Sequence, residues 1–277
     1  MKLEPMSSSE DAPRRQSTGR GPTEPPSFSA PPREPAFNIP PLLVGIVAAL
    51  AAVHALVSYG PSGLSTDTFL NLAFFPARLL ASEAVTNQFF VGPPWFGYGT
   101  FLTYGLLHGG WMHLGMNALW LVTFGAPVVR RLGSTRFLVL LALGTVAGAC
   151  THMIIYWGST VPLVGASAGI SALMGGAARF VFDPRDRALF SAVRDPGLAA
   201  RRPIQSLIEV WSNPTVLMFC GMLIASNIIF GAVSVPGLTE GSSIAWQAHL
   251  GGFALGFLGF RFFDPFSKPF AARSGPR

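Results

Sequence analysis

Charge of either sign is scarce in this chain. Only 12% of its 277 residues are charged, against 50% hydrophobic, and the mean hydropathy is +0.45. That shortage places it in the membrane class, where long stretches lack charge altogether. Cysteine is nearly absent. The two present, Cys150 and Cys220, both fall inside apolar segments. This excludes a disulfide framework or a cysteine metal motif and leaves core packing as their expected role. Residues 1–37 lack apolar periodicity, holding eight prolines, six serines and mixed charges. They are expected to be a disordered tail rather than a cleaved signal.

What is abundant is long apolar runs. About 20 predominantly apolar residues span a hydrocarbon core of roughly 30 Å. The candidates are Ile39–Tyr59, Met112–Val129, Phe137–Trp157, Ser167–Phe182, Pro214–Val233 and Ile244–Phe263, and none contains Asp or Glu. The second and fourth are short, so an end of each is expected to stop below the surface. The fold class is therefore all-α, a polytopic membrane protein with a six-helix bundle. Residues 38–265 would form the membrane domain between the tail 1–37 and a closing tail 266–277.

Net charge is +6 and the sequence pI is about 10.0, which alone could suggest nucleic acid. The positions say otherwise. Of the 19 Lys and Arg, all but Arg78 fall before the first run, between the second and third, at the end of the fourth or in the loop after it, or at the chain's end. Lys and Arg concentrate in cytoplasmic loops. Six spans with both termini cytoplasmic explain the pattern, and no nucleic-acid partner is expected.

In this orientation the motif Gly165-x-Ser167-x-Gly169 lies where the fourth run enters the membrane from outside. Its spacing fits a nucleophile elbow. It also fits a packing face of small residues, which is the commoner reading of such a motif taken alone. His249 lies about five residues into the sixth run, and His113 and Asn117 sit near the outer end of the second. Polar groups inside a bilayer are costly and usually face the bundle interior or a wet cavity. Under packing alone their common depth would be a coincidence. His54 and His152 read as structural.

His249, Gly252, Gly256 and Gly259 share one helix face, and the fourth run is small at Ala168, Gly169, Ala172, Gly175, Gly176 and Ala178. Packing these faces together would bring His249 within about 2.6–3.2 Å of the Ser167 hydroxyl, close enough to take its proton. The acids expected outside, Asp67, Glu83 and Glu240, are all in loops, so a Ser–His dyad is expected. His113 and Asn117, four apart on one helix face, could join the Ser167 backbone N–H as oxyanion donors. As interhelical glue Asn117 would instead contribute about 0.6 kcal/mol. No metal or cofactor is expected.

Taken together, "HGGWMHLGMN", "GASAG" and "AHLGGFALG" resemble the rhomboid intramembrane serine proteases, in order and separation, over about residues 39–263. The resemblance carries His108, His113 and Asn117 in the first motif, Ser167 in the second, and Ala248, His249, Gly252 and Gly256 in the third. It implies Ser167 as nucleophile, His249 as base, His113 and Asn117 at the oxyanion, and a first-loop structure in the membrane interface. It further implies a serine endopeptidase that cleaves membrane-anchored proteins in or near their transmembrane helices. The expected setting is a bacterial inner (plasma) membrane, with transmembrane substrates and the lipid bilayer as partners.

Two departures stand out. Phe75-Pro76-Ala77-Arg78 is the nearest stretch to a Trp-Arg pair found in some bacterial members, and Ser171 replaces an aromatic that can stack on the catalytic histidine. The Gly- and Ser-rich segment Ser234–Ala245 reads as a lid or an ordinary connector. A catalytically inactive rhomboid-like protein that binds transmembrane helices is the first alternative, and it would be expected to lack Ser167 or His249. A channel or transporter would spread polar residues through the membrane depth, whereas here they cluster near one end.

Overall fold

The computed structural model describes residues 39–80, 82, 90, 96–182, 203–232 and 245–266. The tail 1–37, all of the closing tail but Phe266, the Arg-rich loop after helix four, most of the segment Ser234–Ala245, and both Glu83 and Glu240 lie outside the described residues. Within them the chain is helical. No strand occurs, and Phe74 and Leu163 form one isolated antiparallel bridge.

The helices in order are α1 (Pro41–Tyr59), α2 (Ser62–Leu72), α3 (Phe96–Thr103), α4 (Trp111–Leu132) and α5 (Ser134–Ile155). They continue with α6 (Ser167–Ala178), α7 (Leu207–Trp211), α8 (Pro214–Ala232) and α9 (Trp246–Phe263). Short 3₁₀ turns follow α2 at Pro76–Leu79 and α3 at Tyr104–Leu106. All six expected apolar runs are helical, with shifted ends. Gly133, in the left-handed region at φ +75°, is the single residue between α4 and α5, so α4 extends to Leu132 and α5 starts at Ser134. The fourth helix stops at Ala178, short of the expected Phe182. By length and composition α1, α4 and α5 are long enough to cross a membrane; α6 and residues Pro214–Ile229 of α8 are apolar but shorter.

The core sits around α6, which is buried along its length after Ser167. It packs most closely against α9, and both lie against α5. This approach depends on missing side chains. A Cβ at Gly252 would overlap the Ala168 carbonyl oxygen, one at Gly256 the Ala172 carbonyl oxygen, and one at Gly175 the Phe253 carbonyl oxygen. Gly144 and Gly148 give α5 the same closeness to α6. Apolar side chains cannot drive helices together in lipid, so contact area at this range is what remains. Gly259, expected on the same seam, instead faces open space, its nearest neighbour being Phe263 at 4.0 Å.

The seam therefore predicts opposite outcomes for two similar changes. Gly256→Ala must push backbone away and is expected to destabilise by about 1–3 kcal/mol, with loss of any activity that needs α9 in register. Gly259→Ala meets nothing and should be neutral or stabilise slightly, since Gly is a poor helix former by about 1 kcal/mol. Thermal melting of the two purified variants in one detergent checks this.

At the far end of α6 from Ser167, Arg131 holds Asp264 through two hydrogen bonds, Nε to Oδ1 at 3.0 Å and Nη2 to Oδ2 at 2.8 Å, with both side chains fully buried. The Phe180 ring lies 4.7 Å beneath the guanidinium. Arg179 is also buried, donating to the carbonyls of Gln205 at 2.8 Å and Phe257 at 2.6 Å. These two cations are thus structural clamps rather than loop charges. Asp264→Ala is expected to lower stability by about 3–5 kcal/mol, and adding Arg131→Met should recover most of it, because the loss comes from stranding one buried charge. Denaturation midpoints of the single and double variants test the pair.

Of the two cysteines, Cys220 is half-buried, but Cys150 is exposed on the outer face of α5, against the core role expected for it. The helices α2 and α3 and their 3₁₀ turns occupy the first loop. Arg78 is buried there, its guanidinium 4.2 Å over the Phe90 ring, with longer contacts to the Leu70 carbonyl and Asn71 Oδ1. It pins the first loop internally.

Candidate active site

The loop before α6 is held from two sides. Leu163 exchanges backbone hydrogen bonds with Phe74, at 2.8 and 3.2 Å, and the Gly165 N–H donates to the Tyr104 carbonyl at 3.1 Å. Tyr104 in turn donates its hydroxyl to the Thr145 carbonyl of α5 at 2.8 Å. Gly165 then turns the chain at φ +119°, a conformation open to glycine and strained for other residues. A Cβ there would stand 2.9 Å from Nε2 and Cε1 of His113, so the absent side chain also makes room for that ring. The turn delivers Ser167 as the first residue of α6.

No side chain caps this helix. Its first intrahelical bond is Ile170 N–H to the Ala166 carbonyl, at 3.0 Å. The N–H groups ahead of Ile170 therefore belong to the set a helix start leaves without an intrahelical partner, at its positive end. An oxygen carrying negative charge beside Ser167 would find them oriented.

His249 reaches the same point from α9. Its Nε2 lies 2.7 Å from Ser167 Oγ. The expected juxtaposition is present, and its cause is the glycine seam: Gly252, one turn below His249, sits on the carbonyl of Ala168, next to Ser167. The other ring nitrogen, Nδ1, lies 2.5 Å from Oδ1 of Asn227 on α8. Asn227 was not among the expected residues. The available signal was an amide inside the apolar stretch Ile224–Phe230, which a membrane interior tolerates only at a cost.

His113 approaches from α4. Its Nδ1 accepts a long hydrogen bond from the Gly109 N–H at 3.4 Å, which leaves the Nε2 side, facing Gly165, to carry the proton. His108 packs edge-on against it with ring centroids 5.2 Å apart. One turn further along α4, Asn117 is buried at 4% exposure, and its Nδ2 has no hydrogen-bond partner among the described residues. A buried amide donor without a protein partner is uncommon.

The remaining expectations sort themselves around this group. His54 is buried against the Trp111 ring, at 4.6 Å, and His152 against Tyr156, at 5.0 Å, each serving packing. Ser171 is buried within α6. Of the three outside acids only Asp67 is described, exposed on α2 rather than in a loop. Among the described residues no cluster of His, Cys, Asp or Glu could hold a metal ion.

No curated protein matches the chain. The family model of the Rhomboid domain matches residues 96–263, more than half of the sequence, from the start of α3 to the end of α9. The match takes in Ser167, His249, His113, Asn117 and the glycine seam in a single helical bundle. The protein is thus an integral membrane protein, and the chain belongs to the rhomboid family.

Proposed function

We propose that this rhomboid is an active intramembrane serine endopeptidase that cleaves membrane-anchored proteins in or near their transmembrane helices. The observation that carries the reading is the 2.7 Å separation of His249 Nε2 and Ser167 Oγ. A serine hydroxyl becomes an effective nucleophile when a neighbouring base accepts its proton. As Ser167 Oγ bonds to the scissile carbonyl carbon, its proton passes to His249 Nε2. The carbonyl oxygen becomes an oxyanion, facing the helix-start N–H groups at Ser167 together with His113 and Asn117. The C–N bond then breaks, and His249 gives the proton to the departing amine. Water attacks the resulting ester, its proton again taken by His249, and the bond from the carbonyl carbon to Ser167 Oγ breaks as His249 returns that proton to Oγ, releasing the new carboxyl end and the free serine.

The substrate follows from the surroundings. A carbonyl in an intact helix is already hydrogen-bonded along the chain. The substrate must unwind locally to present one, so helix-destabilising residues near the cut are expected. We place the membrane domain at residues 38–265 with six spans, both termini cytoplasmic, the tails 1–37 and 266–277 flanking it, and the bacterial inner membrane as its setting. The distribution of Lys and Arg supports this orientation, although Arg131 and Arg179 carry less weight for it because both are buried.

The test is cleavage by the purified full chain, in liposomes, of a single-span membrane protein with helix-breaking residues near one end of its span. Cleavage there, with a soluble peptide of the same sequence spared, is the expected result. An inert protein that still co-purifies with the span would favour a catalytically inactive helix-binding rhomboid instead.

A further inference from the structure

We infer that Asn227 is a positioning residue for His249, fixing the tautomer the base needs; this rests on the protease reading given above. Two hydrogen bonds on the same amide define the arrangement. Asn227 Nδ2 donates to the Leu223 carbonyl, one turn back along α8, at 2.8 Å. Oδ1 is thereby turned toward His249 Nδ1, at 2.5 Å. Exchanging the two amide atoms would set Oδ1 against the Leu223 carbonyl, two acceptors without a proton between them. The network therefore selects one orientation.

An acceptor at Nδ1 requires that Nδ1 carry the imidazole proton. In a neutral ring Nε2 is then bare, and it is Nε2 that faces Ser167 Oγ. A carboxylate does the same in a Ser-His-Asp triad, and an amide does so in Cys-His-Asn proteases. Here an amide on α8 fills the place left by the absence of acids from the apolar runs. It also suits its surroundings. Asn227 is buried, at 9% exposure, and an amide orients the ring without adding a charge to the bilayer interior. The same bond ties α8 to α9. A purely structural role would thus show in melting temperature, and a positioning role in kcat.

The test combines kinetics with the ring's own signature. In the full chain labelled with ¹⁵N-histidine, His249, assigned by its loss in His249→Gln, should show a protonated Nδ1 and a bare Nε2. Asn227→Ala should lower kcat by about 10–100-fold, as loss of the outer partner does for metal-bound histidines, with KM changed less than about twofold. Its His249 nitrogens should shift toward a mixture of tautomers. Asn227→Asp restores an acceptor and should bring kcat back to within a few fold of the parent. A bare Nδ1 in the active parent overturns the inference, as does Asn227→Ala at parental kcat or Asn227→Asp as slow as Asn227→Ala. A parent with protonated Nδ1 that cleaves nothing would instead defeat the protease reading on which the inference rests.

Discussion

Ser167→Ala and His249→Ala should each reduce kcat by a factor on the order of 10⁶, and the double variant should be little worse than either alone. The reason is the hydrogen bond between them. With His249 Nε2 at 2.7 Å from Ser167 Oγ, neither group acts independently: the serine without a base is a poor nucleophile, and the base without the serine has no proton to take. Additive losses would mean that the two residues work in separate steps. The variants should fold. Ser167 begins α6 in a partly exposed position, and His249 lies above the seam formed by Gly252 and Gly256 without supplying its close contacts. Single-turnover cleavage of the liposome-borne substrate by the four proteins, with melting curves on the same samples, checks this.

Asn117→Ala carries the second large effect. The Nδ2 of Asn117 is buried and has no partner among the described residues, on the same face of α4 as His113, whose ring lies against Gly165. A donor held in place without a ground-state partner is what an oxyanion site requires, since its hydrogen bond forms as charge develops. Its removal should lower kcat by about 10²–10³, roughly 2.7–4 kcal/mol of transition-state stabilisation, with KM little changed. Residual turnover should remain through His113 and the helix-start N–H groups. If Asn117 were only a tie between helices, its loss would instead lower stability by about 0.6 kcal/mol and leave kcat near normal. Measuring kcat and melting temperature on one detergent-purified sample separates the two.

The parts of this arrangement that were legible in the sequence are those encoded by local spacing. The interval from His249 to Gly252 and Gly256 is one helix face wherever the helix sits, and small residues at Ala168 and Ala172 supply its counterpart. Gly165-x-Ser167 marked a turn into a helix, and Gly165 adopts the left-handed conformation such a turn uses. Contacts between distant segments were not legible. Asn227 is 22 residues from His249, on another helix, and no motif surrounds it. Arg131 and Asp264 are 133 residues apart, so Arg131 read as a loop charge although it is buried at the end of α4.

Two other differences come from the solvent. In water an apolar segment implies a core, but lipid is as apolar as the bundle interior. Hydropathy therefore could not tell the exposed Cys150 from a packed one. The helices α2 and α3, of 11 and 8 residues, are too short to register as spans. What orders that loop is Phe74 pairing with Leu163 and Arg78 stacking on Phe90, neither of which a local pattern reveals.

The most direct test of the central claim is the site of covalent labelling by a fluorophosphonate, which reacts with a serine whose proton a neighbouring base removes. The full-length protein should gain one adduct, mapped by peptide mass spectrometry to Ser167, and His249→Ala should remain unlabelled under the same conditions. Labelling of a different serine, or Ser167 labelled equally fast without His249, would contradict a nucleophile activated by that histidine.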